Sequence, residues 1–267
     1  MQLKSLSTSL SNTSPVFTTL AILFWIVFWL LLLELALYLA VPYDPPTVKP
    51  NAAQRYLEYG RSVEGKVRRM IGPTDETTAP VTLAGWLDPT RERWNTAPSR
   101  PKTPEDLLIA IYGMSFAQHV GIALEKLSPQ VAVRFLGGPS ASPNHSYATY
   151  LLDRGRHQAQ VVMLGIAAAN LTGMTTFTSM NRSFEYPTPF TYPKYRPVGD
   201  HLEAFWPSVR TMEDLRRALQ DKALWEKYRQ EMQAEDSFYQ PFLFYENIMD
   251  DLAILRFLRR SWAGRQA

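Results

Sequence analysis

At 267 residues, 46% apolar and 20% charged, the chain has the balance of a globular protein with room for one membrane segment and one α/β domain. Nothing in it suggests collagen, a coiled coil or wholesale disorder. The net charge of +3 and pI near 9.0 are small for this length, and no run mixes Lys or Arg with aromatics in the manner of a nucleic-acid face, so nucleic acid is not an expected partner. Having no cysteine excludes disulfides, Cys-ligated zinc, iron–sulfur clusters and thiol nucleophiles.

Residues 1–15 form a polar leader rich in Ser and Thr. In residues 16–41 only Glu34 is charged. As a helix this segment would reach about 39 Å against a hydrocarbon core of about 30 Å, which predicts a single spanning anchor with room to tilt. A cleaved signal peptide is the rival reading, but its apolar region should be only ~7–15 residues long and followed by a small-residue cleavage site. Lys4 is the only base before the segment, whereas Lys49, Arg55, Arg61, Lys66, Arg68 and Arg69 follow it. That leans towards a cytoplasmic C-terminal side, although long domains translocate despite such charges. Glu34 fits either a partner helix or snorkelling to the nearby interface.

From 42 to 103 the composition shifts to proline and polar residues, as in a linker or stalk. Asn51 suits the N-cap of a helix running to Ile71, with a loose apolar stripe of Ala53, Leu57, Val67, Met70 and Ile71 weakened by Gly60 and Gly65. Residues 72–103 read as irregular connection, with Trp86 and Trp94 as anchors onto the domain surface.

Residues 104–210 carry the α/β pattern. Three short apolar runs, each ending in glycine or a small polar residue, predict parallel strands near 107–112, 131–136 and 161–165. Helices near 116–127 and 146–152 separate them; right-handed crossovers give strand order 2-1-3 with the helices on opposite faces. Ligands in such sheets sit beyond the carboxyl ends of the strands, here 113–115, 137–145 and 165–170. The aromatic loop 175–197, containing FEYPTPFTYPKY, has too much proline for a central strand and too many aromatics for a disordered linker. Loops of this kind are commonly lids or binding loops, and a fourth strand could follow at 201–206. The tail, 211–267, is a helical pair. Thr211 and Asp214 resemble a capping box for a helix to Ala234, and Pro241 opens another to Trp262. Its basic end, Arg256, Arg259, Arg260 and Arg265, suits a helix C-terminus or a contact with anionic lipid.

In IAIYGMSFAQHV a buried strand runs into Gly113, and Ser115 lands where the next helix begins. Its hydroxyl is either an exposed nucleophile beside unpaired N–H groups able to stabilise an oxyanion, or an ordinary N-cap. The blocks Gly113-Met114-Ser115, Gly137-Gly138 and Gly165 to Asn170 resemble the first three motif blocks of the SGNH (GDSL-like) hydrolase superfamily. The resemblance covers about a quarter of the chain. It implies a flavodoxin-like three-layer α/β/α sandwich and an esterase, lipase, or carbohydrate acyl-hydrolase or acyltransferase. By that analogy Ser115 is the nucleophile, and the Ser115 backbone, Gly137 or Gly138, and the Asn170 side chain form the oxyanion hole. The wider pattern of YGMSF, GGPSASPNHSYA, LGI and FTYPKY is similar to a group of membrane-anchored bacterial members, which implies an extracytoplasmic domain.

Three departures stand out. Met114 replaces the aspartate of the first block, Asn170 lies five rather than two residues after Gly165, and the Asp-x-x-His block is absent. The chain therefore reads as a truncated or degenerate member whose base comes from elsewhere. His145, in the polar PNHSYA turn on the sheet edge where Ser115 also ends, is the candidate base; a turn residue bonded to backbone is its other reading. His119, four residues after Ser115 on the same helical face, ranks second. Asp153 and His157 read as a solvated helix end. Asp200 and His201 face opposite ways in an extended segment, though the aromatic loop could bring them over the site. No spacing matches a metal site, and GGPSAS lacks the Walker lysine and the dinucleotide glycine pattern, so neither metal nor cofactor is expected. Two functions follow: a membrane-anchored serine esterase or acyltransferase acting on acyl groups of cell-surface glycans or lipids, or a non-catalytic module for binding or assembly of an envelope complex.

Overall fold

The computed structural model describes residues 15–41, 51–71 and 84–265; the polar leader and parts of the linker, including 72–83 of the expected irregular connection, lie outside these. Helix α1, Pro15–Ala40, is apolar and long enough to cross a membrane, and none of its apolar stretch is buried within the protein. Glu34 has a specific partner. Its carboxylate oxygens accept the backbone N–H groups of Ala253 (2.6 Å) and Ile254 (3.0 Å), the start of the last helix, Ala253–Ala263. The N-cap residue there, Leu252, has no side chain able to cap. Glu34 supplies the missing acceptor and places a negative charge at the positive end of the helix dipole.

Asn51 caps the next helix as expected, in a capping box with Gln54. The single helix expected from Asn51 to Ile71 is instead two, α2 (Ala52–Tyr59) and α3 (Val63–Ile71). The chain breaks at Gly60 because the last helix crosses there: a Cβ on Gly60 would lie 2.0 Å from the Arg256 carbonyl oxygen. A short helix α4, Glu92–Thr96, follows.

Strands β1 (Leu107–Gly113), β2 (Val131–Gly137) and β3 (Val161–Gly165) form a parallel sheet of order β2-β1-β3, the order read from the sequence. Helix α5, Ser115–Leu127, packs on one face, close enough that a Cβ on Gly121 would meet Val133 and Ile111 at 2.9 and 3.3 Å. Helix α6, Pro143–Asp153, packs on the Tyr112 face, where Tyr150 and Asp153 meet the Tyr112 ring and hydroxyl. The two faces differ in depth. The hydrophobic cluster on the α5 face is small, Ile109, Ile111, Ala117 and Val133, whereas the α6 face opens into the main core of Trp86, Trp94, Phe177, Phe190, Tyr192, Trp225, Tyr228 and Phe244. Burying each such ring removes about 150–250 Å² from water, which is why the aromatic loop and the tail fold onto this side.

Strand β3 has no neighbour on its outer edge among the described residues, and Val161, Val162 and Leu164 are 40–45% exposed. The anticipated fourth strand forms at β5 (His201–Phe205), but it pairs antiparallel with β4 (Lys194–Val198) in a separate hairpin, turning at Gly199 with φ +61°. The tail is more broken than the two expected helices. The Thr211–Asp214 capping box starts α7, Met212–Gln220. Asp221 ends it and caps α8, Lys222–Glu235, through the N–H groups of Ala223 and Leu224. After the single turn α9, Pro241–Phe244, a capping box of Asn247 and Asp250 interrupts the chain before α10, Ala253–Ala263.

Candidate functional site

Gly113, Gly137 and Gly165 lie in one register row at the carboxyl end of the sheet. The row is glycine because backbones touch there: a Cβ on Gly137 would fall 1.9 Å from the Gly113 carbonyl oxygen, and one on Gly165 would fall 2.5 Å from Ala117 Cβ. This close approach sets the start of α5 directly over the ends of β1 and β3. Met114 occupies the N-cap position without a capping bond, and Ser115 is the first helical residue. Ser115 is exposed, and its hydroxyl has no partner among the described residues. The N-cap role weighed for Ser115 thus falls to Met114.

Asn170 is brought to this corner by the 3₁₀ helix Ala168–Thr175. Its Nδ2 lies 2.9 Å from Met114 Sδ and donates to the Ala141 carbonyl at 3.2 Å, so its side-chain hydrogens are directed at the protein. The Gly138 N–H donates to the Gly113 carbonyl at 3.3 Å, continuing the sheet ladder, and the Gly137 carbonyl accepts from Arg93 at 3.0 Å. Ser115, Gly137, Gly138 and Asn170 therefore gather at one edge. The contacts there tie loops together.

His145 belongs to a different environment. Ser142 caps α6 and Pro143 opens it, which carries His145 inward, fully buried. Its Nε2 lies 2.6 Å from the Gly85 carbonyl oxygen, which only accepts, so Nε2 carries the proton. Nδ1 is left facing Thr149 Oγ1 at 3.5 Å. The ring stands edge-on to Phe190 and Tyr192 and fills the space that glycine leaves at Gly138, where a Cβ would be 3.2 Å from the imidazole. Burial lowers its pKa to about 4, with the Arg93 charge adding to the effect and the Gly85 bond opposing it. In this conformation neither ring nitrogen is offered to Ser115. His119 on α5 and His201 in the hairpin are exposed; His201 Nδ1 sits 3.4 Å from Asp200 Oδ1, and neither histidine bonds to Ser115.

The structure also assembles a polar centre where the sequence suggested a solvated helix end. Asp153 is fully buried and grips Arg134 of β2 bidentately, at 2.6 and 2.7 Å. Arg134 spends its remaining hydrogens on the carbonyls of Trp94, Ala97 and Pro98. The Ala159 N–H donates to His157 Nδ1, so His157 Nε2 donates to the Tyr112 hydroxyl at 2.8 Å, and that hydroxyl donates to Asp153 at 2.9 Å. Burial holds the His157 pKa below and the Tyr112 pKa above their ordinary values. One signal was present: the single arginine inside the apolar run VAVRFLG. Every polar group of this centre is satisfied internally, so it locks α4, β2 and α6 together and exposes no reactive atom.

Among the described residues no three His, Asp or Glu side chains converge as a metal site. The arrangement thus offers one exposed hydroxyl at a helix N-terminus, beside backbone amides but without a hydrogen-bonded base. No family model, no curated protein and no solved structure matches the chain.

Proposed function

We propose that this chain is a membrane-anchored, SGNH-like module that binds or assembles partners of the cell envelope without hydrolysing them. In this reading α1 spans the bilayer, the soluble part is extracytoplasmic, and the sheet with α5 and α6 is a reduced flavodoxin-like three-layer sandwich. The observation that carries it is the bonding of His145. A general base must bring a free lone pair within about 2.6–3.2 Å of the hydroxyl it activates, and this ring is buried with its proton committed to Gly85. The outer edge of β3 supports assembly, since an uncharged strand edge accepts an added strand from a partner.

A second reading, a serine esterase or acyltransferase acting on acylated glycans or lipids, is favoured by one observation: Ser115 is exposed at the strand end with Asn170 against the adjacent Met114. It requires His145 to leave its pocket, or His119 or His201 to serve as base. Fluorophosphonate labelling of the purified, folded chain decides between them. The scaffold reading expects no labelling. Labelling that disappears in Ser115→Ala establishes the esterase, and its loss in His145→Ala as well would identify that histidine as the base.

A further inference from the structure

Where α1 meets the soluble part, its last two turns, α2 and the start of α10 enclose a groove of about 390 Å³. Every residue lining it is apolar or aromatic, among them Leu33, Leu37, Tyr56, Ile254 and Phe257. The groove shares Leu37, Val41, Leu57 and Ala253 with a second pocket of about 180 Å³, in which Arg61, Arg69 and Arg256 meet Gln54, Glu34 and Asp251. The two form one cleft with an apolar half and an arginine-bearing half. Glu34 forms no ion pair with these arginines among the described residues; its oxygens accept from the N-terminus of α10. Arg256 is fixed by its Nε donating to the Asp250 carbonyl at 2.5 Å, and Arg69 by Glu58 at 3.5 Å.

The position of the cleft along α1 selects the occupant. A helix of 26 residues is about 39 Å long, some 9 Å more than the hydrocarbon core, so its final turns lie at the boundary between acyl chains and headgroups. Glu34 ties α10 to α1 at this level, and Phe257 and Tyr56, 46% and 42% exposed, face outward beside it. We propose that the cleft holds one anionic phospholipid of the surrounding bilayer, with an acyl chain in the apolar groove and the phosphate at Arg69 and Arg256. This rests on the reading of α1 as a spanning helix.

The test uses the full chain, extracted in detergent, supplied with phosphatidylglycerol or phosphatidylcholine, and analysed by native mass spectrometry. One phosphatidylglycerol per chain is expected, retained roughly thirtyfold better than phosphatidylcholine, about fivefold for each of the two arginines. Arg69→Gln, which leaves Arg256 in place, should cut the preference for phosphatidylglycerol about fivefold, and Ala53→Trp, which fills the groove from an exposed position, should abolish retention of both lipids. Equal retention of the two lipids by the unmodified chain, or retention unchanged in Ala53→Trp, overturns the proposal. Carbonate extraction of the source membranes separates the two premises. Release of the chain by carbonate defeats the anchor itself; a chain that resists carbonate yet retains no phospholipid defeats only the cleft.

Discussion

Ser115 and His145 follow neighbouring parallel strands, Ser115 directly at the start of its helix and His145 inside a helix reached by a longer loop, yet Ser115 is solvent-exposed with no partner among the described residues and His145 is fully enclosed. The difference comes from what covers each face of the sheet. The α5 side has a small hydrophobic cluster and leaves its helix start open; the α6 side receives the aromatic loop, the tail and the segment at Gly85, which close over His145. Placing a serine and a histidine at one sheet edge by topology does not pair them. Pairing needs a shared cavity, and here the second corner is used for packing.

If the α6 side carries the stability, its most demanding element is the buried pair of Arg134 and Asp153. Asp153→Ala leaves a guanidinium with 1% of its surface exposed and no counter-charge, and should cost about 3–5 kcal/mol in chemical denaturation. A loss below about 1 kcal/mol would show that the pair is dispensable and that the contrast between the two faces is overstated.

The next largest effect is the pH response of His145. Its folded pKa of about 4 lies below the ordinary value near 6.5, so between these pH values the unfolded state binds more protons. Stability is full above about pH 6.5 and falls as the pH drops towards 4, by up to ~3 kcal/mol from this residue, with His157 acting in the same direction. Urea midpoints at pH 7 and 4.5 should therefore differ strongly in the unmodified chain and less in His145→Gln. Equal pH dependence in both would mean that His145 is solvated and that its enclosure by the α6 side is overstated.

Legibility in the sequence followed the same division. Strand order and parallel pairing were readable because continuous apolar runs ending in glycine are the pattern of parallel strands, one that β3 keeps although its side chains are largely exposed, and the caps at Asn51 and Thr211 were readable because capping is local chemistry. The helix breaks at Gly60 and Asp221 were not. Gly60 is interrupted by Arg256, almost two hundred residues away, and no local pattern announces such a crossing. The burial of His145 was hidden for the same reason, since PNHSYA is polar in composition and only Gly85, Phe190 and Tyr192 make its site a core. Glu34 was recognised as unusual, but its partner is backbone, which carries no sequence signal.

The glycine row marks where the two faces meet. Gly137→Ala drives a methyl to 1.9 Å from the Gly113 carbonyl, and the β1–β2 ladder cannot absorb it without separating. Overpacking of this kind costs about 1–3 kcal/mol, so the thermal midpoint should fall by several degrees. Gly155→Ala is the matched control, because nothing lies within 4 Å of its Cβ position and the midpoint should hold. A similar fall in both would attribute the effect to glycine itself and not to the row.

Ser115→Ala should have the smallest effect, and for that reason it sharpens the comparison most. The hydroxyl has no partner among the described residues, it does not cap α5, and it is exposed, so its removal leaves no buried group unsatisfied. Surface substitutions of this kind change stability by less than about 0.5 kcal/mol. A stabilisation beyond that range would show that the protein holds Ser115 under strain, the signature of a residue kept for chemistry at the expense of the fold, and would return weight to the hydrolase reading. A destabilisation beyond it would mean that the serine bonds in solution to a group it does not meet here. A neutral result, together with the absence of fluorophosphonate labelling, leaves Ser115 as an ordinary surface serine at a helix start.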